Sequence, residues 1–277
     1  MPGEAKNQTI HPDNYRFLQS HVYAEVGIVL DDNKHYLFES RLTPIARQLG
    51  LTSINDLCAL LKATSDRKLG RLVVEAMTTN ETYFFREPGH YEAIKKVLLP
   101  KLKSDRSHTK KLRFWSAAAS TGQEAYSLAM LLLESGFSDW DVHILGTDYS
   151  SQVVDYARRA KYHQIEVNRG LPAALLVKYF SRAGVDWQLS DTVRRLVRFE
   201  IFDLRQRMRA LGPFDAVFCR NVLIYFDAET KKNILKEIHG TLHPGGWLML
   251  GGAETGFGVD EWFERQVVGG AVVLVAR

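Results

Sequence analysis

The chain has 277 residues, 45% hydrophobic and 25% charged, and a formal net charge of +4. That balance excludes a disordered chain, and only two cysteines, Cys58 and Cys219, exclude a disulfide-stapled scaffold and fit a reducing cytosol. No apolar stretch is long enough to span a bilayer, and the polar start, MPGEAKNQTIHPDN, lacks a signal peptide's apolar region, so a cytoplasmic protein without membrane insertion is expected.

The first dozen or so residues are expected to be disordered. From 14 to 77 only helical periods occur. Tyr15, Leu18, Val22 and Val26 mark the first; Tyr36, Leu42, Ile45 and Leu49 mark the second, which ends at Gly50. Ser53 is placed to cap a third helix and Ser65 a fourth. Short amphipathic helices that each bury one stripe predict an N-terminal all-α domain over 12–86. The stretch TTNETYFFREPGHYEAI then combines polar Asn80 and Thr82, the aromatic block Tyr83, Phe84 and Phe85, and Arg86, before Pro88 and Gly89 break the chain. Boundary segments often line a site. A hydrophobic linker with Arg86 as a surface charge explains the same pattern.

The stretch 112–148 organises the rest. Residues 112–118 read as a buried strand, Ala119, Ser120, Thr121 and Gly122 as a small-residue turn, and 125–134 as a helix closed by Gly136. A second apolar run, 142–145, leads into Asp148. In a βαβ unit such an acid ends the second strand and can accept hydrogen bonds from both hydroxyls of a ribose. The turn carries one glycine where a dinucleotide fingerprint has three. That fits an adenosine ligand with no pyrophosphate to cradle; a structural βαβ unit with an incidental Asp is the alternative.

After a helix over 151–160, the next strand, 196–202, arrives some forty residues late. So long an excursion is rarely structureless. We expect a small inserted subdomain at about 162–196, with a helix at 171–179 and β-like pieces at 180–183 and 187–189. A basic excess spans this insert and its flanks: 158–209 carries twelve Lys+Arg against five Asp+Glu. A basic surface suits an acidic partner, although a solvated helix face has the same composition.

A buried strand at 214–219 then leads to Arg220, Asn221 and an apolar turn through Tyr225. A helix at 228–242 and a strand at 247–251 follow. The runs 262–268 and 271–275, split by Gly269 and Gly270, predict a tight hairpin. Five crossover-linked strands closed by such a hairpin predict an α/β fold over 87–277: a Rossmann-like methyltransferase sheet whose last strand runs antiparallel. This topology favours S-adenosylmethionine over NAD. His239 and His243 have i, i+4 spacing, but no glutamate lies between them, so they are read as ordinary helix residues and no metal site is expected.

Five motifs in order, TNETYFFRE, FWSAAASTGQEAYSLAM, LGTDYS, FDAVFCRNVLIYFD and LHPGGWLMLGGAETG, resemble the chemotaxis receptor glutamate O-methyltransferases, the CheR family, over roughly 12–275. The resemblance implies S-adenosyl-L-methionine as methyl donor and S-adenosyl-L-homocysteine as product. It implies glutamates of chemoreceptors as acceptors, converted to methyl esters for sensory adaptation. It places Asn80, Thr82 and Arg86 against the cofactor from the linker, Glu124 from the first turn, and Asp148 on the ribose. Asp203 and Leu204 stand where the family has an Asn-Leu pair beside the adenine. Arg220 and Asn221 match its strand-four turn. In some members the inserted β-subdomain grips a receptor's peptide tail; here 181–198 is several residues shorter, which argues against tail tethering. The receptor's cytoplasmic domains are then expected to dock on the basic region 158–209, and no nucleic acid is expected.

A glutamate acceptor has an ordinary pKa of about 4.3 and is already ionised at neutral pH, so no general base is required. Alignment and desolvation of two opposite charges remain. Asn221 can donate an amide N–H to the acceptor. Tyr225 can supply a second donor or place its ring beside the sulfonium, and Arg86 can pair with the donor's own carboxylate. Against these stand plainer roles: Tyr225 as a core residue, Asn221 as a turn cap. Two other functions remain open at this point. One is an RNA methyltransferase using the basic insert; the other is a non-catalytic signalling module, against which the intact turn from Asn221 to Tyr225 counts.

Overall fold

The computed structural model describes residues 10–64, 66–254, 256 and 258–277. Most of the N-terminal stretch expected to be disordered, and the expected helix cap Ser65, lie outside the described residues. The chain divides into two compact units: Met1–Thr79 with Tyr225–Asp227, and Asn80–Ile224 with Ala228–Arg277.

The smaller unit contains α1 (Pro12–Val26), α2 (His35–Gln48), α3 (Ile54–Ala63) and α4 (Arg67–Met77). Pro12 opens α1 at a position where a missing N–H costs nothing, and Gly27 closes it at φ 75°. Ser53 Oγ accepts the Asp56 N–H at 3.1 Å, as a cap should. For α4 the described cap is Asp66, whose Oδ1 accepts the Lys68 N–H at 2.8 Å. Leu18, Val22, Phe38, Leu42, Leu57 and Val73 fill the interior. Tyr36 and Leu49, read from the sequence as part of the α2 stripe, are exposed; Phe38 takes the buried position instead.

The larger unit begins with α5 (Pro88–Ala93), which continues through a π-helical turn (Ile94–Leu98) into α6 (Leu99–Asp105). Then come β1 (Lys111–Ala117), α7 (Gln123–Glu134), β2 (Asp141–Asp148) and α8 (Ser151–Arg159). The insert supplies β3 (Lys161–His163), α9 (Gln164–Val167), α10 (Ala173–Tyr179), β4 (Phe180–Ala183), β5 (Asp186–Leu189) and α11 (Asp191–Arg194). After it come β6 (Val197–Ile201), β7 (Phe214–Cys219), α12 (Ala228–His239), β8 (Leu242–Leu250), β9 (Phe263–Val268) and β10 (Ala271–Ala276).

Among the described residues the main sheet runs β6-β2-β1-β7-β8-β10-β9, and the insert forms its own sheet, β3-β5-β4. The strands from β6 to β8 are parallel, while β10 runs antiparallel to both β8 and β9. Every residue of β7 is buried, as a central parallel strand covered on both faces requires. The β9–β10 hairpin turns through Gly269 and Gly270 at φ 57° and 84°, a geometry that needs positive φ at both central positions.

The division between units falls after Thr79 rather than after Arg86. The cause is Phe84, fully buried in the larger unit with its ring 5.1 Å from that of Tyr162 and 5.8 Å from that of Phe180. The last helix also stops early, at His239, so His243 lies in β8 and the pair shares no helix.

Candidate active site at the carboxyl edge of the sheet

Strand order places β1 between β2 and β7, with Ala117 level with Thr147 on one side and Cys219 on the other. The segments leaving these strands therefore meet at one edge. In open α/β sheets that carboxyl edge is where ligands bind. Backbone strain collects there. Ala118, Ser120 and Asn221 have φ of 59°, 51° and 58°, and Phe85 and Glu87, in the segment before α5, have 52° and 59°. Left-handed non-glycine residues persist where surrounding structure enforces them, and they cluster at functional sites.

The enforcing contacts on the β1 side come from Asp148. Its Oδ2 accepts the Ser120 N–H at 2.9 Å and its Oδ1 accepts the Ser150 N–H at 3.0 Å. Ser120 Oγ in turn donates to Asn80 O at 2.7 Å, so Asn80, the first turn and Asp148 are brought together. The Phe202 N–H donates to Asp148 O at 2.9 Å, which carries the β6 exit, with Asp203 and Leu204, to the same place. The Asp203 carboxylate is gripped by Arg205, whose Nη2 lies 2.7 Å from Oδ2. That ion pair compensates the acid that stands in the expected Asn position. Leu204 is buried.

The β7 side centres on Arg220, which is almost wholly buried. Its Nη1 donates to Glu124 Oε2 at 2.8 Å, its Nη2 donates to Arg86 O at 2.6 Å, and Nη2 lies 3.1 Å from Glu87 Oε2. Ser116 Oγ donates to Glu124 Oε1 at 2.7 Å. Glu124 therefore sits in a buried ion pair with both oxygens engaged. Burial raises its pKa, opposed by the Arg220 guanidinium and the Ser116 hydrogen bond. Burial alone would lower the pKa of Arg220, but Glu124, Tyr91 and Glu87 outweigh it and keep the guanidinium charged. Burial likewise pushes Glu87 upward, yet Arg220 and the Gly252 N–H hold it below the usual carboxylate range.

Asn221 follows directly. Its Nδ2 reaches Glu87 Oε1 at 3.4 Å. A Cβ on Gly251 would stand 2.5 Å from Asn221 Nδ2, so glycine is required for this approach. Arg86 turns its own Nη1 to Glu81 O at 3.0 Å, with its guanidinium 5.6 Å from the centre of the Tyr83 ring. Thr82 is half-buried in the same segment. Tyr225 groups with the helical unit. Three site residues escaped the sequence reading. Glu87 closes the motif TNETYFFRE, Glu254 lies within LHPGGWLMLGGAETG, and buried His90 has Nδ1 3.0 Å from Glu87 Oε2. An acid directly after Arg86, and one just after the paired glycines 251 and 252, were the available signals.

Beside α7 a cavity of about 570 Å³ is lined by Tyr126, Arg158, Asp191, Arg194, Arg195 and Phe199, among others. Arg158 donates to Phe199 O at 2.8 Å and Arg194 to Asp191 Oδ1 at 2.9 Å.

The donor and acceptor set fits S-adenosylmethionine part by part. The backbone-held Asp148 carboxylate suits the ribose hydroxyls, Leu204 suits the adenine face, and the Arg86 guanidinium suits the donor's carboxylate. The doubly wound sheet with its antiparallel β10 and an acid ending β2 defines a Rossmann-like methyltransferase. Residues 80–269 match the family described as CheR methyltransferase, SAM binding domain, and residues 13–78 match its all-alpha domain. Over 234 residues the chain is 42% identical to chemotaxis protein methyltransferase 1 of Pseudomonas aeruginosa, covering 82% of this chain and 85% of that one. It is 37% identical over 272 residues to chemotaxis protein methyltransferase Cher2 of Pseudomonas putida, covering 95% and 98%. The chain belongs to the CheR methyltransferase family. It is an S-adenosylmethionine-dependent methyltransferase. Among the described residues no helix is long and apolar enough to cross a membrane.

Proposed function

We propose that the protein methylates glutamate side chains on the cytoplasmic domains of chemoreceptors, giving methyl esters. The observation that carries this reading is the state of the site's own carboxylates. Glu87 and Glu124 are committed to Arg220, Asp148 to backbone N–H groups, and Asp203 to Arg205. An amine or hydroxyl acceptor needs a base to take its proton; a glutamate, ionised at pH 7, does not. Relatives named chemotaxis protein methyltransferases support a role in chemotaxis.

The cofactor supplies an electrophilic methyl on a sulfonium. The chain's residues do the rest. Asn80, Thr82, Arg86, Glu124, Asp148, Asp203, Leu204 and Arg220 form the cofactor-binding set, Glu124 and Arg220 acting by fixing the backbone around it. Asn221 donates an amide N–H that aims the acceptor carboxylate, and Tyr225 supplies a second donor or a ring face. Burial excludes water from the reacting charges and strengthens their alignment. The receptor docks on the basic region 158–209, with Arg158, Arg194 and Arg195 around the cavity beside α7. The β4–β5 hairpin turns through Gly184 and Val185 alone, which fits docking without a tethered tail.

The test is incubation with labelled donor and a receptor cytoplasmic fragment. Base-labile label on receptor glutamates is expected. Cofactor binding without such label would overturn the reading.

A further inference from the structure

Glu254, just beyond β8, has an unusual set of partners. Its Oε2 accepts the Asn221 N–H and the Gly251 N–H, both at 2.7 Å. Its Oε1 accepts the Val222 N–H at 2.9 Å and the Leu223 N–H at 2.7 Å. One carboxylate thus collects four backbone N–H groups, three of them consecutive along the turn that leaves β7. Short loops rarely satisfy three successive amides by themselves, and amides left without partners carry a desolvation cost. Glu254 removes that cost only while Asn221 stays at its left-handed φ of 58°.

The Asn221 side chain has few alternatives in this arrangement. Gly251 bounds it on one side, where a Cβ would stand 2.5 Å from Asn221 Nδ2, and Glu87 Oε1 meets its amide. We propose that Glu254 is a positioning residue for methyl transfer: it holds the β7 turn so that the Asn221 amide faces the acceptor carboxylate. This rests on the role given to Asn221 above. Glu254 touches neither reactant and acts wholly through Asn221.

The substitution Glu254→Gln tests this with little change of shape. A carboxylate offers two acceptor oxygens, whereas an amide offers one oxygen and an NH₂ that donates. The NH₂ would face backbone donors and release half of the grip. A misplaced aligning group costs roughly 100-fold in turnover. The expected result for Glu254→Gln is a kcat lower by about that factor, with KM for the acceptor and the dissociation constant of S-adenosylhomocysteine changed less than about threefold. Amide exchange at Val222 and Leu223, followed by NMR, should accelerate in the same variant.

The decisive arm is a double-mutant cycle with Asn221→Gly. If Glu254 acts through Asn221, Glu254→Gln added to Asn221→Gly costs no further kcat. Costs that multiply, or an unchanged kcat in Glu254→Gln, overturn the proposal. Should Glu254→Gln fold poorly, Glu254→Asp retains the carboxylate and is expected to recover part of kcat. Failure of the function itself looks different: wild-type protein would then label no receptor, while the amide exchange would still report whether Glu254 holds the turn.

Discussion

The turn after β1 and the turn after β7 both contain strained, left-handed residues, and a carboxylate at or just past the carboxyl end of the neighbouring strand holds each. The holding differs. Asp148 anchors the first turn through the Ser120 N–H and also ends β2, where a ribose is expected. Glu254 anchors the second through the Asn221, Val222 and Leu223 N–H groups and adds Gly251. In the proposed site one acid shares its charge between the fold and the ligand; the other gives all of it to the backbone. The cofactor-side turn should therefore fail in binding when its acid is lost, and the acceptor-side turn in turnover.

The largest effect is expected for Asp148→Ala. It would remove the charge-assisted hydrogen bonds proposed to the ribose together with the anchor of Ser120. At about 1.5–3 kcal/mol for each such bond, cofactor affinity should fall by roughly 100-fold or more. Calorimetric titration with S-adenosylhomocysteine measures it. Wild-type affinity would remove Asp148 from the cofactor site and break the contrast with Glu254.

Arg220→Met should act on stability first. It strands Glu124 and Glu87 without their cation, a loss of about 3–5 kcal/mol for a broken buried pair. In a unit of this size the thermal midpoint should drop by roughly 10 °C. Adding Glu124→Gln should return part of that loss, because a neutral amide is cheaper to bury than an unpaired carboxylate. A midpoint unchanged in Arg220→Met would mean the network is not what fixes the β7 exit.

Much of this was legible in the sequence, for identifiable reasons. β1, β7 and the Gly269–Gly270 hairpin announced themselves by apolar runs and by turn residues with one available geometry. Asp148 was legible because a βαβ unit fixes where its acid lies. Glu87 and Glu254 were not: Asn221, a side-chain partner of Glu87, stands 134 residues away in sequence, and the partners of Glu254 are backbone N–H groups, three of them about 30 residues away. Backbone N–H groups carry no side-chain signature. Glu124 was placed by its neighbours in the motif, but its ion pair with Arg220 joins α7 to the end of β7, a contact that only strand order creates.

Away from both turns, Arg194→Glu with Arg195→Glu should raise KM for the receptor fragment about tenfold through lost electrostatic attraction, and more at low salt. Cofactor affinity should stay put, because these residues line the cavity beside α7 and touch neither Asp148 nor Arg220. An unchanged KM would remove the basic region from receptor docking and leave the two turns as the protein's contribution to specificity.

The smallest effect is a pH dependence of stability from buried His90, whose Nδ1 lies 3.0 Å from Glu87 Oε2. Burial lowers its pKa, Arg220 lowers it further, and Glu87 pulls the other way. The unfolded imidazole keeps an ordinary value of about 6.5. Between the lowered folded value and that unfolded one, the unfolded chain binds more protons, so stability rises with pH. The contribution is complete above the unfolded value and is lost as pH falls through the folded one. Glu124, raised by burial, gives the opposite slope, since protonating it favours the folded state. The two are separated by difference. Urea midpoints of wild type should fall from pH 7.5 to pH 5.5 more steeply than those of His90→Gln, which keeps a neutral polar group that never charges. Parallel slopes would mean that burial beside Arg220 does not keep the imidazole neutral.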